Sequence, residues 1–355
     1  MANLRVASGD SLQKIAFKSE RIFREVLNAL TFAPFTSGKN MNDFAVLQQF
    51  NMDTAALNTF SHGKGSGVKD RFFLPLAYSG DPVKNGSRDV VTGQEEALTI
   101  RTFDHEIDMY EKDVETGSML SHLRSFVDLN MESEVALSNF MIDHVDTLHF
   151  NALNKDSTPT DFIHFNSSNA VTTTTTEPTS GTTGSTLLNP EFLKYVSEVA
   201  ATGDSVFGNL SSFRIKKVPI NGIDSYILLV TPRLATQIAI DPTFAQYARE
   251  LANAKSDPIF KNAVAHIGDI LIVSSEKVAD DGTLAKCSLI GANSLLVSLA
   301  RPEGLAFDIV PGSKNAGRSD WLVGRWFVKV SKPQFANSAG TLKDYGSLGV
   351  YFKYA

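Results

Sequence analysis

The sequence predicts an α+β fold in which a long β-hairpin and a long helix precede an α/β lobe, with further strands closing the chain. Three observations carry this. Residues 226–230 form a short apolar run followed at once by Thr231-Pro232, a helix start in which Thr caps and Pro fills the first turn without losing a needed N–H. Residues 68–110 hold two alternating runs around a Gly/Pro/Asn cluster, the pattern of a hairpin. Residues 118–154 carry a broken apolar stripe at helical spacing.

Residues 1–60 read as an arm. Asp10 or Ser11 caps a helix bearing Leu12, Ile15, Ile22, Phe23, Val26, Leu27 and Leu30, which Pro34 and Gly38 end. The polar stretch to Phe60 holds only scattered anchors, Phe44, Leu47, Phe50 and Leu57. Such a stripe cannot be buried on itself, so the arm must lie on the body or on a neighbour. Gly63, Gly65 and Gly67 make a hinge-like stretch.

In the hairpin, Phe72, Leu74, Leu76 and Tyr78 alternate, and Pro75 within the run marks an edge or irregular strand. Gly80, Pro82, Asn85 and Gly86 form the turn. The return strand carries Leu98 and Ile100, then Phe103, His105, Ile107 and Met109; the change of parity at Thr102/Phe103 predicts a bulge. The helix over 118–154, capped by Ser118 and striped by Leu120, Leu123, Phe126, Val127, Phe140, Met141, Val145 and Leu148, would span ~50 Å at 1.5 Å per residue.

Residues 166–186, with Thr172–Thr176 at their centre, have no core-forming content and read as an exposed loop or linker. Asn189-Pro190 starts a helix that turns Phe192, Leu193, Val196 and Val199 inward. In the α/β lobe, Asp241-Pro242 repeats the helix-start device, ahead of Phe244, Tyr247, Ala248 and Leu251 on one face. Asp257-Pro258 marks a turn, and Gly268 breaks the chain before a strand over 270–273. Strand alternation then recurs at Leu305, Phe307 and Ile309, at Trp326, Val328 and Val330, and at Leu348, Val350, Phe352 and Tyr354.

Composition narrows the function classes. The 355 residues are enough for a sizeable core in two lobes or one elaborated domain. With 33 basic and 39 acidic residues, net −6, the chain lacks the basic excess of a dedicated nucleic-acid binder, though it can lie near DNA. The single cysteine, Cys287, excludes an internal disulfide and sits among apolar residues, as a small buried hydrophobe does. No signal peptide is expected, because the first residues are polar and charged, and no run approaches the roughly 20 apolar residues of a membrane span. The 24 phenylalanines against 8 tyrosines and 2 tryptophans suit packing and subunit contacts more than a polar cleft.

Candidate chemistry is sparse. Asp104, Glu106 and Asp108 share a strand face, with His105 and Glu111 near, but one strand cannot converge ligands on a metal; a solvated face is expected. His144 and His149 are five apart on the long helix, so their rings diverge, and a structural role is expected. His62, His122, His164 and His266 are isolated. The stretch from Gly63 to Gly67 is no phosphate loop, since GxxxxGK[ST] is absent, as are GxSxG, HExxH and paired CxxC. Arg214, Lys216 and Lys217, and separately Arg318, Arg325, Lys329 and Lys332, form weak basic groups suited to a solvated or intersubunit face, or to a face toward DNA. No catalytic residue, cofactor or metal ligand is assigned.

The strand running into Thr231-Pro232, the Asp-Pro step, the Ile259-Phe260 pair, then Gly268 and an apolar strand ending in Ser274-Ser275-Glu276 resemble the major capsid proteins of tailed bacteriophages. More narrowly, they are similar to the capsid family of N4-like and related phages. The order of elements along the rest of the chain follows the same fold. The resemblance implies an N-terminal arm (1–66), an extended hairpin or E-loop (67–110), and a spine helix with the first part of a peripheral domain (111–165). An axial domain (187–300) and C-terminal strands completing the peripheral domain (301–355) follow, while the Ser/Thr-rich loop (166–186) departs from the family pattern and is treated as a variable insertion. It implies a non-enzymatic protein of the virion capsid, assembled in the host bacterial cytoplasm from its own copies as pentamers and hexamers. Scaffolding, portal and decoration proteins are further partners. Packaged double-stranded DNA is met only by non-specific proximity, and no membrane is involved. Phe72, Leu74, Leu76 and Tyr78 of the hairpin and Ile22, Phe23 and Leu27 of the arm become intersubunit contacts, with Gly63, Gly65 and Gly67 as the hinge. The hairpin begins near residue 68, leaving no long scaffolding segment before it, so any scaffold is expected from another chain. Some capsids of this fold crosslink a hairpin lysine to a neighbour's asparagine; Lys69 and Lys84 lie in the hairpin, but no partner is legible and no crosslink is expected. Two rival readings remain open: a soluble α/β enzyme with a site beside the Thr231 or Asp241 turns, and another virion component such as a decoration protein.

Overall fold

The structure, a computed structural model, describes residues 30, 32, 36–37, 46–51, 68–75, 100–118, 129–155, 159–168, 170–181, 183–184, 189–202, 214–220, 223–240, 244, 263–300, 307–314, 319–336 and 340–354. Two sheets and the helix between them set the architecture.

The chain opens with β1 (Thr36–Ser37), β2 (Val46–Asn51), β3 (Val68–Pro75) and the 19-residue β4 (Ile100–Ser118), followed by helix α1 (Leu129–Phe150) and a π-helical turn over Asn151–Lys155. Next come β5 (Phe162–Phe165), β6 (Val171–Thr174), helix α2 (Pro190–Thr202), β7 (Val218–Ile220), β8 (Ile223–Val230) and helix α3 (Pro232–Ile240). The remaining strands are β9 (Ala263–Ile267), β10 (Ile270–Ser274), β11 (Leu284–Ile290), β12 (Leu295–Ala300), β13 (Phe307–Lys314), β14 (Ser319–Ser331), β15 (Gln334–Ala336), β16 (Leu342–Asp344) and β17 (Ser347–Lys353). The first sheet runs β1-β2-β12-β14-β4-β3, with β13 also on β14; the second runs β6-β5-β17-β11-β8-β10-β9, with β7 on β8.

Why the run 226–230 is continuously apolar follows from its place. β8 lies inside the second sheet, parallel to β10 and antiparallel to β11. Its alternate side chains enter two different cores. Tyr226, Leu228 and Val230 pack with Phe192, Leu193 and Val196 of α2 and Leu234 and Ile238 of α3. Ile227 and Leu229 pack on the other side with Leu137, Met141 and Val145 of α1 and with Leu299, Trp326 and Val328 of the first sheet. A strand covered on both faces has no polar alternation to show.

The helix starts behave as read. Asn189 Oδ1 accepts the Phe192 N–H at 2.7 Å, and Thr231 Oγ1 accepts the Leu234 N–H at 3.3 Å. Asn189→Ala is expected to cost about 1 kcal/mol of unfolding free energy, to be checked by urea denaturation of the purified chain. Gly268, at φ +57°, makes the turn between β9 and β10. The helix expected after Asp241-Pro242 lies outside the described residues, apart from Phe244, which is buried in the α2/α3 core.

Several expectations need correction. The long helix does not begin at Ser118, which is the last residue of β4 and pairs with Ser319. β14 offers that segment a strand partner, so α1 has 22 residues, or ~33 Å at 1.5 Å per residue. Leu120, Leu123, Phe126 and Val127 lie outside the described residues, and Phe140 is exposed rather than buried. The bulge expected at Thr102/Phe103 is absent: β3 and β4 pair in unbroken register from Val68 opposite Ile107 to Pro75 opposite Ile100. The register shift lies at the far end of β4, opposite Asp320/Trp321. What changes along β4 is the covered face: Phe103 packs on Leu296, whereas Tyr110 and Val114 pack into the core with α1. Met109, expected inward, is exposed.

The Ser/Thr tract is not a free linker. Val171–Thr174 forms β6 on β5, and Glu177 then holds Lys286 at 2.6 Å. Sheet membership also crosses the division expected at residue 300. β12, at 295–300, belongs to the first sheet, while β17 sits inside the second between β5 and β11. That is why Leu348, Val350 and Phe352 are buried, as are the intervening Gly349 and Tyr351.

Candidate assembly surface

β4 changes partner along its length. Residues 108–118 pair with β14, and residues 100–107 pair with β3. Beyond its pairing with β14, β4 therefore continues as a two-stranded ribbon with β3, with Phe103 packed on Leu296 of β12. Phe72 and Leu74 lie on β3, opposite Phe103 and Arg101. Leu76, Tyr78, Ile22, Phe23, Leu27, Gly63, Gly65 and Gly67 lie outside the described residues, as do Lys84 and the arm helix. Pro75 ends β3, the terminal strand in the sheet order, opposite Ile100.

The root of the ribbon is braced by charge and by aromatic rings. Arg325 Nε donates to Glu111 at 3.0 Å and Lys329 Nζ to Asp108 at 2.8 Å, both half exposed. Of the acidic face expected to be solvated, Glu106 is exposed, Asp108 is instead engaged by Lys329, and the side chain of Asp104 lies outside the described residues. Beneath, Trp326 is buried and its Nε1–H donates to His144 Nδ1 at 3.2 Å. Tyr110 packs edge-on to His144 at 4.6 Å and stacks on Trp326 at 6.0 Å. Phe140 closes the cluster from α1, with Lys112 Nζ 5.5 Å above its ring. Gly324 of β14 lets α1 approach, since a Cβ there would lie 2.4 Å from Met141 Cε and 3.0 Å from Leu137 Cγ.

Three chain crossings between the sheets meet in one polar knot. They are residues 159–161 before β5, residues 291–294 between β11 and β12, and residues 332–346 between β14 and β17. Asp344 is central and fully buried: its carboxylate accepts Lys332 Nζ at 2.8 Å, Gln334 Nε2 at 2.8 Å and the Thr160 N–H at 3.0 Å. Its own N–H donates to Thr160 Oγ1 at 2.9 Å. Lys343 Nζ donates to Asp161 at 2.8 Å. Burial pushes the Lys332 ammonium below the usual lysine range, while Asp344 and Asp161 pull it back. The Gly291 N–H donates to Gly346 O at 2.8 Å, joining the second crossing to the third. Gly346, at φ +80°, fits against Ala292 O, where a Cβ would approach to 2.8 Å. Near the same level, the π-helical turn docks α1 on the second sheet: Asn154 Nδ2 donates to Lys286 O at 2.8 Å, and Ser288 Oγ donates to Asn154 Oδ1.

The other sequence candidates resolve as parts of the scaffold. The rings of His144 and His149 diverge, the latter stacked on Phe32 and bonded to Val145 O. Burial pushes the Cys287 thiol up to about 12, which leaves it protonated. Lys217 pairs with Asp269 at 2.6 Å, so this basic residue, like Arg325, Lys329 and Lys332, faces carboxylates of its own chain. Thr231 serves as cap and partner of Tyr354 Oη at 2.7 Å. Among the described residues no cluster of three His, Cys, Asp or Glu side chains could hold a metal, and no helix is long and apolar enough to cross a membrane. The polar knot escaped sequence reasoning because Lys332 and Asp344 look like ordinary hairpin-flanking charges; only the fold buries them.

A family model described as phage capsid protein matches residues 5–294. Among solved structures, the capsid of Ralstonia phage GP4 superposes with a TM-score of 0.69 at 18% identity, covering 91% of this chain and 90% of that one. The acidic stable capsid of Helicobacter pylori bacteriophage KHP30 gives 0.64 at 14% identity, over 92% and 91% of the two chains. The Cyanophage Pam1 capsid gives 0.56 at 12% identity, over 91% and 92%. No curated protein matches the chain. At these identities the structures carry the fold, and the family model carries the kinship. The chain belongs to the phage capsid protein family, with the tailed-phage capsid fold, and is a structural subunit of the shell rather than an enzyme.

Proposed function

We propose that the chain tiles an icosahedral shell as pentamers and hexamers around the double-stranded DNA of a tailed bacteriophage. The observation that supports this is the partner change along β4, which continues as a two-stranded ribbon with β3 beyond its pairing with β14. A two-stranded ribbon is marginal alone in water and gains by lying on another surface. A neighbouring copy supplies that surface. Burying its apolar residues at about 25 cal/mol per Å² favours each contact, and the repetition of contacts closes the shell. The arm acts in the same way through Ile22, Phe23 and Leu27, and Gly63, Gly65 and Gly67 let the ribbon pivot. The second sheet with α2 and α3 gathers around the five- and six-fold axes. Assembly takes place in the host bacterial cytoplasm, with scaffolding, portal and decoration proteins as partners. The DNA is contained without sequence-specific contact, in keeping with a net charge of −6 and with basic side chains paired inside the chain.

The test is a ribbon variant, Phe72→Ser with Leu74→Ser, Leu76→Ser and Tyr78→Ser. It is expected to leave the thermal unfolding midpoint of the isolated subunit within a few degrees of the parent. In sedimentation or light scattering it should lose large particles. Shell formation equal to the parent would remove the ribbon from the assembly contacts.

A further inference from the structure

We propose that β17 is a keystone strand: the slot between β11 and β5 is a binding site for residues 347–353, and the β5–β6 hairpin joins the second sheet only once β17 is seated on β11. Gly349 is the residue that permits the second step. The two sides of the slot differ. Toward β11 the pairing is antiparallel and runs from Leu284 opposite Lys353 to Ile290 opposite Ser347. β11 is itself held on its far side by β8. Toward β5 the pairing is parallel and covers only Gly349–Tyr351, opposite Phe162–His164. The β11 side is also nearer in sequence, so closing that loop costs less. The longer ladder and the shorter loop both make β11 the first dock.

Among the described strands, β5 reaches the sheet only through β17. Its partners are β6 and β17, and a β5–β6 hairpin alone is marginal in water. Phe165 stacks on Phe192 of α2 at 4.5 Å, but Phe192 is itself packed edge-on to Phe352 of β17 at 5.3 Å. The Glu177–Lys286 pair beyond β6 is partly exposed and contributes little by itself. Further ties come from β16 and β17. The Gly349 N–H donates to Asp161 O at 3.0 Å, Lys343 Nζ donates to Asp161 Oδ1 at 2.8 Å, and the Thr160 N–H donates to Asp344 at 3.0 Å. Phe162 seats directly over Gly349. A Cβ at 349 would come to 2.8 Å from Phe162 Cδ1, 3.2 Å from Pro159 Cβ and 3.3 Å from Asp161 O. These nearest neighbours belong to β5 or lead into it, and none belongs to β11. Tyr351, on the same face of β17, then meets Phe162 edge-on at 5.1 Å. Bare backbone at 349 is therefore what β5 requires of β17. This reading rests on the fold alone, so it stands or falls independently of how the shell is tiled.

Hydrogen exchange of the full-length chain tests the keystone. In Gly349→Val, peptides covering Phe162–Phe165 and Val171–Thr174 are expected to exchange about tenfold faster or more, since the released hairpin is marginal on its own. Leu284–Ile290, whose ladder with β17 is left in place, is expected to keep its protection. Equal protection of the hairpin in variant and parent overturns the proposal. So does loss at Leu284–Ile290 in a chain that still protects Ile270–Ser274, because β17 would then have failed to seat on β11. Should the variant fail to fold as a whole, pulse labelling during refolding of the parent decides. Phe162–Phe165 is expected to gain protection no earlier than Ser347–Lys353, and protection of Phe162–Phe165 first overturns the proposal.

Discussion

Asp344→Ala is expected to lower the unfolding free energy by ~3–5 kcal/mol, the range for removing one partner of a buried ion pair. The reason is what it strands. Lys332 would lose its counter-charge in a site where its side chain has no exposure, and Gln334 Nε2 and the Thr160 N–H would each lose their acceptor. Because the knot ties residues 160–161 to the hairpin of β15 and β16, the loss is shared by both sheets. Lys332→Met combined with Asp344→Leu, which removes both charges and fills similar volume, is expected to recover most of that loss. Urea denaturation of the two variants decides between them. A double variant no more stable than Asp344→Ala would show that the remaining polar bonds, and not the charge pair, hold the knot.

Trp326→Ala is the second large effect, expected at ~3–5 kcal/mol for truncating a buried ring. Trp326 is where α1, β4 and β14 meet: it contacts Phe140 and His144 of α1 and Tyr110 of β4. Its removal opens the cavity under the root of the ribbon, so shell formation should fall more steeply than subunit stability alone would require. Trp326→Phe keeps the ring and loses the donor to His144, and is expected to cost about 1–3 kcal/mol. Calorimetry of both variants, beside particle yield, separates the two contributions.

Local signals were legible where local chemistry fixes structure. The caps at Asn189 and Thr231, the turn at Gly268 and the hairpin strands at 68–75 and 100–107 could be read because their causes lie within a few residues. What could not be read depended on distant partners. Ser118 looked like a helix cap because β14, two hundred residues later, is what extends β4 to that point. Val171–Thr174 looked like linker because its pairing to β5 and the Glu177–Lys286 contact are set by tertiary neighbours. The alternation in 348–354 told of a strand but not of its sheet; β17 is buried between β5 and β11, far from the β13–β14 pair that precedes it in sequence. For the assembly surface, the ribbon strands were visible in periodicity, whereas the Asp108–Lys329 pair, the Trp326 cluster and the Asp344 knot needed the fold.

The central claim is that this chain builds a shell through its ribbon and arm. The most direct test is negative-stain electron microscopy with light scattering on the full-length chain, expressed with the phage's scaffolding protein if one is encoded. Closed shells, tubes or rings of five and six subunits are the predicted result, lost when the ribbon carries serine at 72, 74, 76 and 78. A chain that stays a monomer or dimer with its scaffold present would contradict the account.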